Sequence, residues 1–360
     1  MRALRARTVI GVSGLLLVAA DGHAQFKNGQ QTVTLTLPTV SQRAVVTQRI
    51  GLTDVTIVYH RPRVDGRKIF GDLIAYGRVW RAGANNNTTF EISDPVTVEG
   101  QPLAAGRYGL HAIPGPDQWT VIFSRNSTSW GSFTYDEKED VLRVVVKPVA
   151  AGFREELTYE FSDLEPESAV LALTWERVRV PIRLAVDTKQ ITLESVRNQL
   201  RNLPGYTSEA WNDAAMYCLD NEFNYEEALR WADRSIQEQE GFGNLITKAR
   251  VLEALDRQSE AKAVIEKALP MGNAVDLYGY ADMLLKQRRL EDAAAVVRRN
   301  LAAHPDSWLA LVTQARLQSA TGERTAARKT LDQALSRAPA GGSPLVRRLI
   351  QRLEAGQDIR

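Results

Sequence analysis

The first half of the chain carries short runs in which apolar and polar residues alternate. Alternation with a period of two residues is typical of β-strands that bury one face. Such runs occur at 55–59, 88–92, 107–113, 119–123, 141–146, 157–161, 170–175 and 180–186. Turn sequences rich in Gly and Pro separate them, for example at 99–102 and 114–117. The pattern predicts a mostly antiparallel β domain, with a sandwich or a flattened barrel as the best fit.

From about residue 200 onward, helical periodicity replaces the alternation. Alignment on small residues reveals an internal repeat with anchors at Ala228, Ala261, Ala293 and Ala327. The intervals of 33, 32 and 34 residues are typical of the tetratricopeptide repeat, which has two antiparallel helices per unit. The first two units depart from the consensus, so the pattern indicates the repeat class rather than the number of repeats. The prediction is a C-terminal α-helical solenoid with a capping helix at its end.

A chain of 360 residues is longer than a single hydrophobic core usually organises. We therefore expect a multidomain β plus α protein. The predicted segments are a signal peptide (1–24), an N-terminal segment (25–37), a β-rich domain (38–186), a linker or helix (187–207), helical repeats (208–341) and a capping helix with a tail (342–360).

The N-terminus has the features of a secretory signal peptide. Arg2, Arg5 and Arg7 precede an apolar run at 9–20, and small residues lead up to Ala24. A membrane anchor is the alternative interpretation, but the run is shorter than the roughly 20 residues that span a bilayer. The sequence predicts a secreted or periplasmic protein after cleavage near Ala24.

Composition limits the classes of partner. The 45 basic and 43 acidic residues become 42 of each without residues 1–24, which contain three arginines and one aspartate. A neutral chain lacks the general attraction to phosphates on which nucleic-acid binding relies, so we expect no nucleic-acid partner. Cys218 is the only cysteine, which excludes an internal disulfide and a cysteine-based metal cluster.

Spaced motifs in the β-rich region carry a family resemblance. They are Arg61-Pro62, Gly66-Arg67, Ile69-Phe70-Gly71, Tyr76-Gly77, Val79-Trp80-Arg81, Gly83-Ala84-Asn85, Ala105-Gly106, Ile113-Pro114, Trp130-Gly131 and Tyr135. In these motifs, and over roughly residues 38–186, the chain resembles domain-of-unknown-function family 2911 of exported bacterial proteins. The resemblance implies a β-rich domain in a secreted or periplasmic protein, and it supplies neither a substrate nor a catalytic residue.

The loops between Arg61 and Asn87 are a candidate ligand site. Guanidinium groups suit carboxylates and phosphates, and aromatic rings can stack on a sugar. We therefore expect a small anionic or sugar ligand to contact these residues of the β-rich region: Arg61, Arg63, Arg67, Trp80, Arg81, Asn85, Trp130 and Tyr135. The alternative is structural, with the arginines fixing the loops and Trp80 in the core.

The helical repeats are a candidate protein-binding surface, since repeat solenoids commonly present a concave face to a partner. By the repeat register, the predicted contacts with a protein or peptide are Tyr217, Asp220, Arg250, Tyr278, Asp282 and Arg316. Their charges are mixed, so no ligand charge is favoured. The alternative is that the repeats serve only as a scaffold.

Common catalytic motifs are missing from the sequence. It contains no Gly-x-Ser-x-Gly, no His-Glu-x-x-His and no phosphate-binding loop. His60 and His111 lie on separate predicted strands without a spaced carboxylate motif, so we expect no metal and no cofactor. A non-enzymatic binding or adaptor protein is therefore favoured. The alternative is an enzyme that acts on a glycan or peptide at the Arg61–Asn87 loops, with Tyr76, His60 or an acidic neighbour transferring a proton.

Overall fold

The computed structural model describes residues 25–27, 30–32 and 37–359. The chain divides into two compact units, one ending at Val186 and the other beginning at Asp187. The first unit consists of β-strands and the second of α-helices. The predicted signal peptide lies outside the described residues.

Twelve β-strands lie in the described part of the first unit. They are β1 (Gln25–Lys27), β2 (Gln30–Thr32), β3 (Gln42–Ile50), β4 (Thr53–Arg61), β5 (Thr88–Ile92), β6 (Val96–Val98), β7 (Gln101–Leu103), β8 (Gly106–Ile113), β9 (Trp119–Ser124), β10 (Asp140–Val146), β11 (Val149–Glu165) and β12 (Ser168–Ala185).

These strands form antiparallel sheets. The larger sheet has the order β10-β9-β8-β5-β4-β3, the smaller has the order β11-β12-β6-β7, and β1 pairs only with β2 among the described strands. Apart from the crossing from β5 to β8, neighbours in the larger sheet are consecutive along the chain. Neither sheet closes on itself among the described strands. The predicted antiparallel β architecture is confirmed, in the open form rather than as a barrel.

The core of the first unit is aromatic. On β4, Val55, Ile57 and Tyr59 are buried at every second position, as the alternation predicts. The ring of Tyr59 contacts that of Tyr159 on β11 with centroids 4.8 Å apart, which joins the inner faces of the two sheets. The hydroxyl of Tyr159 donates to the backbone oxygen of Ala82 at 2.9 Å, so this buried polar group is satisfied.

A second aromatic cluster fills the space beside these tyrosines. The ring of Phe70 lies 4.9 Å from Trp119 and 6.0 Å from Trp175, and Trp80 stacks on Trp175 at 6.0 Å. All four side chains are buried. Phe70 and Trp80 come from the irregular segment between β4 and β5, so this long connection is fixed by the core it helps to build.

The second unit contains ten α-helices within its described residues. They are α1 (Thr188–Gln199), α2 (Ser208–Asp220), α3 (Tyr225–Glu238), α4 (Phe242–Ala254), α5 (Gln258–Ala268), α6 (Ala274–Lys286), α7 (Leu290–Ala303), α8 (Trp308–Ala320), α9 (Arg324–Arg337) and α10 (Ser343–Glu354). The segment for which the sequence left a linker or a helix open thus contains α1.

Helices α2 to α9 form four pairs, and the anchor alanine of each repeat lies in the second helix of its pair. Ala228, Ala261, Ala293 and Ala327 are at most 1% exposed. A methyl side chain at these positions lets the two helices of a pair approach closely. The predicted helical solenoid is confirmed. Helix α10 then buries an apolar face, including Val346 and Leu349, at the end of the array.

No helix among the described residues combines the length and the apolar character needed to cross a membrane.

Candidate functional site

The structure distributes the predicted ligand-binding residues over three places. The first is the start of the irregular segment after β4, which lies against β11. Arg61 is partly buried, and its guanidinium donates to the backbone oxygen of Leu157 at 3.2 Å and to Oγ1 of Thr158 at 3.0 Å. These bonds join β4 to β11 across 96 and 97 residues of sequence. The contacts favour the structural alternative for Arg61.

Arg63 and Arg67 lie nearby and also bond within the protein. Arg63 is about half exposed and forms ion pairs with Asp65 at 3.2 Å and Glu155 at 3.4 Å. The guanidinium of Arg67 donates to the backbone oxygens of Val64 and Arg63. These bonds fix the turn around Gly66, which has a positive φ of 69°. Ligand binding by these two arginines stays a prediction.

The second place is the core. Trp80 is 8% exposed, and its indole nitrogen donates to the backbone oxygen of Gly83 at 3.1 Å. Asn85 adopts a positive φ of 57°, and its side-chain amide donates to the backbone oxygen of Ser41 at 3.2 Å. Trp80 therefore packs inside the unit, as its structural alternative expects, whereas Asn85 ties its loop to the segment before β3.

The third place is the outer face of the larger sheet, which is the face opposite the core. Four residues belong to this outer face, because they alternate with core residues along their strands. They are His60, Thr89, His111 and Arg143. Residues 125–136, here called the cover segment, lie over part of it. For example, the backbone oxygen of Ser129 accepts from the amide of Asn87 at 2.9 Å.

The strand β8 contributes a close contact to this covering. A Cβ at Gly109 would come within 2.2 Å of the backbone oxygen of Asn126. Any residue with a side chain would thus displace the cover segment, which explains a glycine in the middle of a strand. The side-chain amide of Asn87 donates to the same oxygen at 2.9 Å, so the approach is also held by a hydrogen bond.

Under the cover segment, His111 is buried at 3% exposure. Its Nδ1 lies 2.9 Å from the hydroxyl oxygen of Ser132. Its ring packs against that of Tyr135, with 5.2 Å between the ring centroids. Burial lowers the pKa of His111 to about 4, and the negative charge of Asp140 opposes this effect only in part. The imidazole is therefore neutral at pH 7.

Tyr135, a predicted ligand contact, takes part in a compact polar network. Its hydroxyl donates to Asp140 at 2.5 Å and accepts from Arg143 at 2.6 Å, while Arg143 also donates to Asp140 at 2.6 Å. Burial and the hydrogen bond to Asp140 raise the pKa of Tyr135 to about 12. The network joins the cover segment to β10 and leaves the phenol protonated at pH 7.

Two further predicted residues, Arg81 and Trp130, lie near the middle of the cover segment. A Cβ at Gly131 would lie 3.0 Å from the terminal nitrogen Nη1 of Arg81, so the guanidinium approaches the backbone beside Trp130. The ring of Trp130 stacks on that of Phe133, with centroids 5.5 Å apart and 18° between the planes. Both rings are exposed, Trp130 by 65% and Phe133 by 76%.

The sequence did not single out Phe133 or Arg43 as site residues. Arg43 lies on β3 directly opposite His60 on β4. The charges of Arg43 and Arg81 contribute to a lowered pKa of His60, although burial is the larger cause. Only strand register could have shown this cluster, and the sequence alone does not reveal the register.

In the helical unit, four predicted partner contacts share one register position. Tyr217, Arg250, Asp282 and Arg316 lie in the first helices of the four pairs, at intervals of 33, 32 and 34 residues. These are the intervals of the anchor alanines, so the four residues form one row across α2, α4, α6 and α8. We call it the first-helix row.

Ion pairs connect this row to neighbouring helices. Arg250 lies 3.7 Å from Asp220 at the end of α2, and Arg316 on α8 contacts Asp282 on α6. The side chains of Arg316 and Asp282 are only 11% and 15% exposed. The guanidinium of Arg316 also lies over the ring of Tyr278, 5.6 Å from its centroid. The row therefore contains both shielded and accessible charges.

Another ion pair lies next to the row. Arg289, just before α7, donates two hydrogen bonds to Glu253 at 2.8 and 2.9 Å. The hydrogen bonds to Glu253 raise the pKa of Arg289. Because Glu253 lies in the last turn of α4, this bidentate pair joins the second helix pair to the third.

Among the described residues, no group of three or more His, Cys, Asp or Glu side chains is arranged to hold a metal ion. Cys218 is a free thiol that is buried against the first repeat, where burial raises its pKa to about 11.

Comparison with known families bears out the resemblance seen in the sequence. Residues 41–184 match the family described as "Protein of unknown function (DUF2911)", and residues 284–353 match the one described as "Tetratricopeptide repeat". No curated protein matches the chain.

Solved structures resemble about two fifths of the chain. A chain of the APC/C hetero-tetramer Cut9-Hcn1 has 13% identity and a TM-score of 0.30, and the match covers 41% of this chain and 29% of that one. YrrB, described as a TPR protein with an unusual peptide-binding site, has 16% identity and a TM-score of 0.28, and the match covers 44% of this chain and 83% of that one. MamA from Desulfovibrio magneticus RS-1 has 18% identity and a TM-score of 0.26, and the match covers 42% of this chain and 97% of that one. The chain thus joins a region similar to the DUF2911 family to a tetratricopeptide repeat.

Proposed function

We propose that the protein binds a protein or peptide segment along the concave face of its helical unit. The first-helix row carries this proposal, because it aligns one polar residue from each of the four helix pairs. A solenoid of stacked pairs creates an extended concave surface of this kind, on which an unfolded segment can make contacts from several repeats.

Exposure separates the predicted contacts into two groups. Asp220 is 59% exposed and Arg250 is 27% exposed at the side chain, and Tyr217 and Tyr278 are partly exposed. These four residues are the proposed contacts with the partner. Asp282 and Arg316 shield each other, so their proposed role is to hold α6 and α8 in register beneath the binding surface.

Site-specific photo-crosslinking tests the surface. A benzophenone amino acid would replace Tyr217 or Tyr278 in the full chain, with exposed Arg299 on α7, a second helix of its pair, as the matched control position. We expect the same protein adduct from both tyrosine positions and none from the control. Equal adducts at all three positions, or none at any, would overturn the proposal.

Binding to the purified adduct partner then measures the contribution of each contact. Tyr217→Ala and Tyr278→Ala should each weaken the affinity by roughly tenfold, since aromatic residues at interface centres commonly contribute more than 1 kcal/mol. Arg299→Ala should leave the affinity unchanged. Isothermal titration calorimetry with the full chain is the measurement.

A secreted or periplasmic adaptor is the finer form of this proposal. The arginines and the apolar run before Ala24 support export, and the β-rich region would act as a second binding module beside the repeats. Mass spectrometry of the N-terminus of the exported protein tests the first part. A mature chain that begins near residue 25 is expected, whereas an intact Met1 in the cytoplasmic fraction would contradict export.

A further inference from the structure

A cluster of basic side chains on the outer face of the larger sheet has no acidic partner among the residues that the structure describes. Arg81 is partly buried, yet its guanidinium has neither a hydrogen bond nor an ion pair among the described residues, and its Nε is fully shielded from solvent. The ring nitrogen Nδ1 of His60 is also shielded and has no partner there. Arg43, opposite His60 across the strands, lacks a carboxylate partner within the same part of the chain.

The remaining residues offer little compensation. The whole stretch 1–36 contains a single acidic side chain, Asp21. Removing a guanidinium from water is costly unless an opposite charge or acceptors replace the lost hydration. Burial accordingly lowers the pKa of Arg81. A partly buried cation that no described side chain neutralises is typical of a site whose counter-charge comes from a bound anion.

An aromatic surface adjoins this cation. Trp130 and Phe133 stack on each other and expose most of their surface, which is unusual for two adjacent large rings at a protein surface. Gly131 between them has a positive φ of 74°, and a Cβ there would lie 2.9 Å from the Phe133 ring and 3.0 Å from Arg81. Glycine thus allows the backbone, the rings and the guanidinium to meet.

We propose that Arg81, Trp130 and Phe133 form a binding site for an organic anion in which a carboxylate is attached to a ring. The planar fork of Arg81 would bind the carboxylate, and the ring would lie on the exposed aromatic pair. His60, whose Nδ1 is shielded, and the exposed Arg43 lie on neighbouring strands beside this site. This site lies in the β unit and goes beyond the protein binding proposed for the helices.

The charge of the site favours a carboxylate over a phosphate dianion. Arg81 is the central cation, while burial and the two arginines keep the pKa of His60 low and its imidazole neutral at pH 7. A single planar guanidinium matches a planar monoanion in charge and shape. Trp80, one residue earlier, points into the core and is not part of this site.

Calorimetric titration of the full chain at pH 7.5 tests the ligand class with three probes. Benzoate carries both the charge and the ring, acetate only the charge, and benzyl alcohol only the ring. We expect benzoate to bind at least about tenfold more tightly than either of the others. Equal affinities for benzoate and acetate would remove the aromatic pair from the proposal, and no benzoate binding would overturn it.

Variants assign the site. Arg81→Gln should weaken benzoate binding at least about tenfold, and Arg81→Lys, which keeps the charge without the fork, should fall between it and the original chain. Trp130→Ala should reduce benzoate affinity to that of acetate. The matched control is Arg107→Gln, an exposed arginine on the same face of the sheet, opposite Glu91 near the other end of β5.

The control separates a built site from general charge. An equal loss in Arg81→Gln and Arg107→Gln would overturn the proposal, because the effect would then reflect net charge alone. If Arg81→Gln lowers the melting temperature, its loss of binding could reflect unfolding, and the benzoate affinities of Arg81→Lys and Trp130→Ala then test the site. Undiminished benzoate binding in both of these variants would also overturn it.

Discussion

The two units of this protein treat their charged side chains differently. In the helical unit, Arg250, Arg289 and Arg316 each pair with a carboxylate from a neighbouring helix or repeat. On the outer face of the β unit, Arg81 and Arg43 have no such partner among the described residues. Paired charges keep repeated elements in register, whereas an unpaired and partly buried charge remains available for a ligand.

The cores of the two units differ as well. The β unit concentrates Phe70, Trp80, Trp119 and Trp175 in one aromatic cluster, whereas the helical unit divides its core into successive clusters in which small and aliphatic residues predominate. Because both sheets share one core, truncating a single large side chain there should destabilise the whole β unit. In a core built repeat by repeat, the same kind of substitution should destabilise mainly the repeat that contains it.

The largest expected effect tests the aromatic core. Trp119 is 1% exposed and contacts Phe70 and Trp80, so Trp119→Ala should destabilise the β unit by about 3–5 kcal/mol through lost burial and a cavity. Urea unfolding followed by circular dichroism measures this loss. Trp130→Ala is the matched control, since Trp130 is 65% exposed and should change stability by less than about 0.5 kcal/mol. Similar losses in both variants would contradict the assignment of Trp119 to the core.

The next effect is the dependence of stability on pH. Folding lowers the pKa of His111 from 6.5 to about 4, so the unfolded chain takes up its proton first as the pH falls. The stability that is linked to the lowered pKa of His111 is fully present above about pH 6.5 and is lost as the pH falls toward 4. The loss should reach on the order of 3 kcal/mol.

His111→Asn should flatten this part of the stability profile, because asparagine does not titrate. The measurement is the urea midpoint of each chain at pH 7 and pH 4.5. Subtracting the change in the original chain from the change in the variant removes the effect of the carboxylates, because both chains contain the same ones. Thr89→Val, which changes a buried side chain on the same face that does not titrate, is the control and should keep the original slope. An unchanged slope in His111→Asn would show that His111 is not the buried neutral base.

A smaller effect is expected from the shielded ion pair in the helical unit. Asp282→Asn leaves Arg316 without its carboxylate at 11% exposure, which should destabilise the unit by roughly 2 kcal/mol. Glu260→Gln, which removes an exposed pair with Arg257, should have a much smaller effect. Thermal unfolding of each variant checks the order. Equal effects would mean that the Asp282 pair is as well hydrated as the exposed one.

The smallest effect sharpens the contrast between the units. Arg81→Gln removes a charge that has no partner among the described residues, so stability without ligand should stay the same or rise by up to about 1 kcal/mol. The sign is therefore opposite to that expected for Asp282→Asn. A clear loss of stability would indicate that Arg81 has a structural partner, and urea unfolding in ligand-free buffer distinguishes the two results.

Much of the fold was predictable from the sequence. Alternation predicted β4, and the regular spacing of Ala228, Ala261, Ala293 and Ala327 predicted the helical repeat. Both signals are local, since each strand or repeat carries its own pattern of buried positions. The binding residues were less predictable, because the motif residues between Arg61 and Tyr135 separate into three places.

The type of each element follows from local sequence, because burial of one face imposes a period that the chain displays. Which side chains meet depends instead on the tertiary fold. Trp80 is buried in the core while its neighbour Arg81 approaches Gly131 beneath the exposed aromatic pair, 50 residues further along the chain. Contacts of this kind depend on strand register and on the path of a loop, and these are fixed by the packing of the whole unit rather than by any local pattern.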